Sequence, residues 1–326
     1  MVAPVLSQRC RTTLTAARLA ALPPALRGRK EVAALRYAVA LGDGDPTAPG
    51  RLPYLNALAS NLARLDRLDT LLAAASAAGL RLVPLKGALL LRTHYGDPGA
   101  RPMVDLDIAC LPDELPRAIE LCRDLGYEQL DTPAFRLARD AVHDIKMLRE
   151  GVTIELHHRL WHELRIARDV EPLIARATEV PFGAATAWAP SEADHLYVVM
   201  IHAATHAFVG NALWLTDAAL LCAGADPSLW ARVQAEAARS GARVALAAAR
   251  DQLTAALPWL TLPTTDEARL RRALLRRLTP WLQRGEGAIG VWPTRLARPL
   301  MFDRARDLGS WALEKLAMMG RQRRPS

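Results

Sequence analysis

Leu85-Lys-Gly-Ala-Leu-Leu90, followed by Tyr95 and then by Arg101-Pro-Met-Val-Asp-Leu-Asp-Ile108, is the stretch on which the reading of this chain turns. Leu80 to Leu85 is a short apolar run with strand character, and Lys86-Gly87-Ala88 opens a short helix that ends before Gly96. The loop Gly96 to Pro102, rich in glycine and proline, leads into a second strand from Met103 to Cys110. On that strand Asp105 and Asp107 lie two residues apart, so both carboxylates project from one face while Leu106 and Ile108 pack on the other. Two ionised carboxylates this close repel unless a cation lies between them. The hard cation Mg2+, usually shared with substrate phosphates, is the expected solution. A glycine between strand and helix lets backbone N–H groups approach a phosphate at the positive end of the helix. Lys86 would add a point charge there, and Arg101 is a second candidate phosphate contact.

Downstream, His143 to Arg149 and Val152 to His158 read as two strands joined by the hairpin turn Glu150-Gly151. Thr153, Glu155 and His157 then share a face, and Glu155 is a candidate third carboxylate. A two-residue turn pairs Arg149 with Val152; counting back places Lys146 opposite Glu155 and Asp144 opposite His157. His157 is placed to orient a metal ligand.

Together these segments resemble the nucleotidyltransferase superfamily with the DNA polymerase β-like fold. More narrowly they resemble the bacterial uncharacterised nucleotidyltransferase family, some members of which occur with lasso-peptide biosynthetic genes. The residues that carry the resemblance are Leu85-Lys-Gly, Tyr95, Arg101-Pro-Met-Val-Asp-Leu-Asp and Glu155-Leu-His157. His202-Ala-Ala-Thr-His206 and Trp214-Leu-Thr-Asp217 are similar to the family's helical segment. The resemblance spans roughly residues 55–225. It implies an α+β fold: a polymerase β-like core with a mixed sheet, N-terminal helices and a helical C-terminal domain. It also implies that Asp105, Asp107 and Glu155 hold two Mg2+ ions on a nucleoside triphosphate. Lys86, Gly87, Arg101 and Lys146 would bind the nucleotide; His157, His202, His206, Trp214 and Asp217 would support the ligands or line an acceptor pocket. The implied reaction moves a nucleotidyl group, AMP being the expected one, onto a hydroxyl of a small molecule or peptide. A nucleotide-sugar donor on the same fold is an alternative, and a non-catalytic scaffold on a degenerate fold is another. The better-known superfamily members carry Gly-Ser where this chain has Gly87-Ala88.

Working outward, Leu55 to Ala78 reads as one long helix with Leu58, Leu62, Leu65 and Leu68 at helical spacing and Gly79 as its stop. Pro112-Asp113-Glu114 starts another helix, which runs to Leu125. The expected organisation is an N-terminal helical region (1–54), an α/β nucleotidyltransferase core (55–190) and a helical C-terminal domain (191–326). The apolar stretch Leu196 to Ala225 is long enough to span a bilayer. His202, His206, Asn211 and Asp217 interrupt it, so a buried helix pair is expected and no membrane association. His195, His202 and His206 are read as core or groove histidines. The 326 residues hold 42 basic and 34 acidic side chains, a net of +8, yet residues 227–326 alone carry +10 and the remainder −2. Only four of the basic residues are lysines: Lys30, Lys86, Lys146 and Lys315. Leu270, Leu274, Leu275 and Leu278 suggest an amphipathic helix with a solvated arginine side. Few aromatic residues interleave with these arginines or with the tail Arg321-Gln-Arg-Arg324, so nucleic acid is not an expected partner. Four cysteines without CxxC spacing, and an N-terminus unlike a secretory signal, predict reduced thiols and a cytoplasmic location.

Overall fold

The computed structural model describes residues 5–130, 143–161, 166, 169–183, 185–208, 212–224, 226, 228–264, 267–284 and 297–304. The tail arginines Arg321, Arg323 and Arg324, Lys315 and Asn211 lie outside the described residues. Four short helices come first: α1 (Gln8–Thr13), α2 (Ala16–Ala20), α3 (Pro24–Arg27) and α4 (Lys30–Gly42). α4 packs along α5 (Arg51–Ala77), the long helix expected from the leucine spacing. Its buried stripe is Tyr54, Ala57, Asn61, Leu65, Leu68, Leu71, Leu72 and Ala75. Leu65 and Leu68 lie on that stripe and Leu58 packs against the core, whereas Leu62 is 50% exposed, so the stripe departs from the sequence reading at Leu62. The reason is Asn61, whose amide Nδ2 donates to Pro98 O at 2.7 Å and Arg101 O at 2.8 Å. These bonds turn a polar residue inward and tie down the loop that enters the aspartate strand. Gly79 follows the helix with φ +66, and Leu80 N–H donates to Ala75 O at 2.8 Å, closing the C-terminus as expected.

The central sheet has the order β1-β2-β5-β4-β3. Its strands are β1 (Val83–Pro84), β2 (Asp105–Ala109), β3 (Glu128–Gln129), β4 (Asp144–Arg149) and β5 (Val152–His157). β2 and β5 run parallel and the other neighbours antiparallel, so the sheet is mixed. Only Val83 and Pro84 of the expected first strand pair, at an edge where Pro84 has no N–H to donate. α6 (Lys86–Leu90) passes directly into a π-helical turn, Leu91–Tyr95, which stops at Gly96 with φ +80. α7 (Leu115–Asp124) lies between β2 and β3 in the chain, and Glu150 (φ 47) and Gly151 (φ 76) form the left-handed turn between β4 and β5. One sheet face is apolar: Leu106, Ile108, Met147, Ile154 and Leu156 are fully buried. α5 packs across β2 and β5.

After α8 (Glu171–Ala175), a separate hairpin forms from β6 (Thr178–Phe182) and β7 (Ala185–Ala189). The sequence reading did not anticipate it, because Pro181 and the alanines of the second arm carry little strand propensity. Tertiary contacts hold it: the Arg81 guanidinium lies 4.0 Å from the Trp188 ring centre and that of Arg92 lies 4.9 Å from Phe182. The helical part that follows contains α9 (Glu192–Thr205), α10 (Leu213–Cys222), α11 (Ser228–Ser240), α12 (Arg243–Ala256) and α13 (Arg269–Arg284). α9 and α10 are the buried pair read from Leu196 to Ala225, and no helix among the described residues is long and apolar enough to cross a membrane. On α13 the buried leucine is Leu275, while Leu270 is 88% exposed. Its arginine side is not wholly solvated, since buried Arg272 Nε donates to Asp251 Oδ2 at 2.9 Å. All four cysteines are free.

The stripe on α5 gives a direct test. Leu65→Ala should lower stability by about 2–5 kcal/mol in urea unfolding, whereas Leu62→Ala should change it by less than about 0.5 kcal/mol.

Candidate functional site

The second face of the sheet is polar, and pairing fixes its pattern. In the parallel β2–β5 ladder Asp105 stands opposite Thr153 and Asp107 opposite Glu155. In the antiparallel β4–β5 ladder Lys146 stands opposite Glu155 and Asp144 opposite His157, the register counted from the two-residue turn. Asp107 and Glu155 are therefore adjacent side chains across a parallel pair, and each meets an ammonium group. Lys86 Nζ is 2.6 Å from Asp107 Oδ1, and Lys146 Nζ donates to Glu155 Oε1. His157 Nε2 lies 2.9 Å from Asp107 Oδ1 and 3.7 Å from Glu155 Oε2. Asp107 is buried and ionised, so Nε2 carries the proton and donates.

Burial alone would raise the Asp107 pKa, but the Lys86 ammonium and the His157 hydrogen bond outweigh it and hold this carboxyl well below the usual range. Asp105 behaves in the opposite way: burial, then the charges of Asp107 and Glu155, raise its pKa. The expected metal set was Asp105, Asp107 and Glu155. Asp107, Glu155 and His157 are the group that brings one donor atom each within 4.8 Å of one another. Geometry explains the difference. Asp105 sits two residues, about 6–7 Å, along the strand from Asp107. The longer imidazole of His157 reaches back across the ladder.

Lys86 begins α6 with φ 47, a left-handed conformation uncommon for a lysine. Its N–H donates to His195 Nε2 at 2.8 Å, which anchors the turn to α9. His195 is 1% exposed, and burial, then the positive charges of neighbouring side chains, push its pKa down to about 3, so the ring is a neutral acceptor. Sequence reading placed His195 among core histidines and missed this role, because its partner lies 109 residues earlier in the chain. Gly87 is needed for packing here: a Cβ would overlap the Arg101 guanidinium.

Arg101 is itself buried and held by Asp217 in a two-pronged pair, Nε to Oδ1 at 2.8 Å and Nη2 to Oδ2 at 2.7 Å. Tyr95 Oη also donates to Asp217 Oδ1 at 2.8 Å. Asp217 thus locks the loop before β2 onto α10, and Arg101 reaches the site already neutralised. All the sequence-predicted residues line one cavity of about 440 Å3. Lys86, Gly87, Arg101, Asp105, Asp107, Lys146, Glu155 and His157 form its sheet side, and His202, His206, Trp214 and Asp217 lie on the helical side. The His202 and His206 rings are 4.5 Å apart, and burial, then the Lys86 charge, lowers the His202 pKa. Trp161 and Asp144 also line the cavity and were not among the predicted site residues.

The neutral state of His195 has a measurable consequence. Below the ordinary histidine pKa of 6.5 the unfolded chain takes up a proton that the folded chain refuses until about pH 3. Stability from this group is intact above pH 6.5 and falls as pH drops, by about 1.4 kcal/mol per pH unit. Urea unfolding at pH 7 and pH 5 should show wild type losing about 2 kcal/mol more than His195→Gln, since glutamine keeps an acceptor for the Lys86 N–H.

Comparison with known proteins gives the family. A search of curated proteins returns no match. Among solved structures, the solution structure of the antibiotic-resistance factor ANT(2″)-Ia is similar, at 13% identity and a TM-score of 0.42, over 55% of this chain and 94% of that one. A family model described as uncharacterised nucleotidyltransferase matches residues 52–257, from the start of α5 to the end of α12. The chain belongs to this family of nucleotidyltransferases.

Proposed function

We propose that this protein moves a nucleotidyl group, AMP being the expected one, from a nucleoside triphosphate to a hydroxyl of a small molecule or peptide, with Mg2+ as cofactor. The observation that carries this reading is the facing pair Asp107 and Glu155, each neutralised by a lysine, at the floor of a 440 Å3 cavity. The donor set fits a divalent cation. The Asp107 and Glu155 carboxylates converge with the Lys86 and Lys146 ammonium groups on them, and His157, whose Nε2–H donates to Asp107, orients one of them. Mg2+ prefers oxygen, so Asp107 and Glu155 are its proposed ligands, with the less buried Asp105 available to a second ion. When bound, the ion neutralises phosphate charge and polarises the α-phosphoryl group.

The chain's own residues supply the rest. His157 Nε2–H fixes the orientation of the Asp107 carboxylate. Lys86 and Lys146 offer ammonium groups to phosphate oxygens from either side of the carboxylate pair. Burial opposes the Lys146 charge, but its hydrogen bond to Glu155 outweighs that and raises its pKa, so the group stays protonated. Glu155 is positioned to receive the acceptor hydroxyl proton as the new oxygen–phosphorus bond forms and pyrophosphate leaves. Positioning and charge stabilisation would supply most of the rate. With the sheet face in the 55–190 region and the opposite wall in 191–326, α9 and α10 close the cavity over the carboxylate pair. The four free thiols accord with a cytoplasmic site of action.

Pyrophosphate release with Mg2+ and a panel of nucleoside triphosphates tests this function. Asp107→Asn should lower the rate by about 10²–10³-fold and weaken Mg2+–nucleotide binding in calorimetry. Wild-type rates in this variant would refute the assignment. Release of nucleoside diphosphate from a nucleotide sugar, with no pyrophosphate from any triphosphate, would move the donor to the sugar class.

A further inference from the structure

Beyond the carboxylate pair, three residues that line the same cavity each bury a polar atom without a hydrogen-bond partner among the described residues: Asp144 Oδ2, His157 Nδ1 and Trp161 Nε1. The three residues are 7%, 4% and 4% exposed, so water does not freely satisfy them. Buried polar groups normally find partners, and a carboxylate oxygen left without one is costly. Asp144 is not explained by the proposed metal centre, because it lies outside the three-donor cluster of Asp107, Glu155 and His157. Its Oδ1 is 3.2 Å from His143 Nδ1. Its Oδ2 is 3.7 Å from Lys146 Nζ, close enough for charge attraction but beyond hydrogen-bond distance, and that ammonium also donates to Glu155. The unsatisfied atoms are complementary in kind. Asp144 Oδ2 can only accept, Trp161 Nε1 can only donate, and His157 Nδ1 accepts when the ring is neutral, because Nε2 holds the proton.

Charge narrows the ligand further. Among the described residues the cavity lining carries five carboxylates (Asp105, Asp107, Asp144, Glu155 and Asp217) against three cations (Lys86, Arg101 and Lys146), a net of −2 without the histidines. A triphosphate with about four negative charges and two divalent cations cancel each other, so the deficit remains for the third component. We propose that Asp144 and Trp161 form the acceptor subsite, and that the acceptor is a small hydroxylated amine. Its ammonium group donates to Asp144 Oδ2, and an oxygen of the acceptor accepts from Trp161 Nε1. The unreactive amine thereby anchors a molecule whose hydroxyl faces Glu155. This subsite rests on the nucleotidyl-transfer reading for its purpose, but its ligand preference is measured independently of it.

The test is saturation-transfer NMR titration of the full chain, without Mg2+ or nucleotide, with serinol (2-amino-1,3-propanediol) and its uncharged counterpart glycerol as probes. Wild type should bind serinol at least fivefold more tightly than glycerol. Asp144→Asn, nearly the same shape, should abolish that preference. Trp161→Phe should weaken both probes severalfold and keep the preference. Circular dichroism confirms that both variants fold. Equal binding of serinol and glycerol by wild type, no binding of either, or a preference that survives Asp144→Asn would overturn the proposal. Failure of triphosphate turnover with intact serinol preference would count against the transfer reaction alone. Transfer to glycerol and serinol with equal efficiency would keep the reaction and refute the cationic subsite.

Discussion

The parallel pairing that sets Asp107 directly against Glu155 is the constraint on which the site depends. Two ionised carboxylates on adjacent strands repel, and their burial removes the water that would screen them. The fold meets this with two of the four lysines in the chain, one on each carboxylate. In a chain whose other 38 basic residues are arginine, the choice is physically meaningful. An ammonium is a compact point charge on a flexible stem and can transfer from carboxylate to phosphate. A guanidinium favours a fixed two-pronged pair. The contrast is visible within one cavity, where Arg101 is locked on Asp217 by two hydrogen bonds while Lys86 and Lys146 each sit on a carboxylate of the paired set.

The surrounding structure holds this arrangement rigid. Asn61 on α5 fixes the loop before β2, and Asp217 on α10 grips the same loop through Arg101. His195 on α9 holds the backbone of Lys86 in a conformation that a lysine seldom adopts. Three helices from two ends of the chain thus converge on two short loops, each through buried polar bonds. The polar sheet face faces α9 and α10, and α5 packs on its apolar reverse.

Much of this was legible in the sequence, and the exceptions have physical causes. The Asp105-Leu-Asp107 alternation and the Glu150-Gly151 turn are local signals, so the strands and the register of Lys146 against Glu155 followed from counting residues. His157 on the same face followed from period two. His195 and the Arg101–Asp217 lock were not legible, because each joins residues more than a hundred positions apart. On α5 the reading held for Leu65 and Leu68 but missed Asn61, a polar residue that is buried by hydrogen bonds rather than by apolarity. Likewise the β6–β7 hairpin is held by arginine–aromatic contacts that its own composition does not announce. Asp144 was counted opposite His157, yet nothing local marks its second oxygen as unsatisfied inside a cavity.

A crystal structure with Mn2+ and a non-hydrolysable nucleoside triphosphate tests the central claim most directly, because Mn2+ gives an anomalous signal. The account predicts an anomalous peak within about 2.0–2.3 Å of oxygens of both Asp107 and Glu155, with the Lys86 and Lys146 ammonium groups moved onto phosphate oxygens. A nucleotide-bound structure in which both lysines still cap those carboxylates, and Mn2+ lies elsewhere, would contradict it.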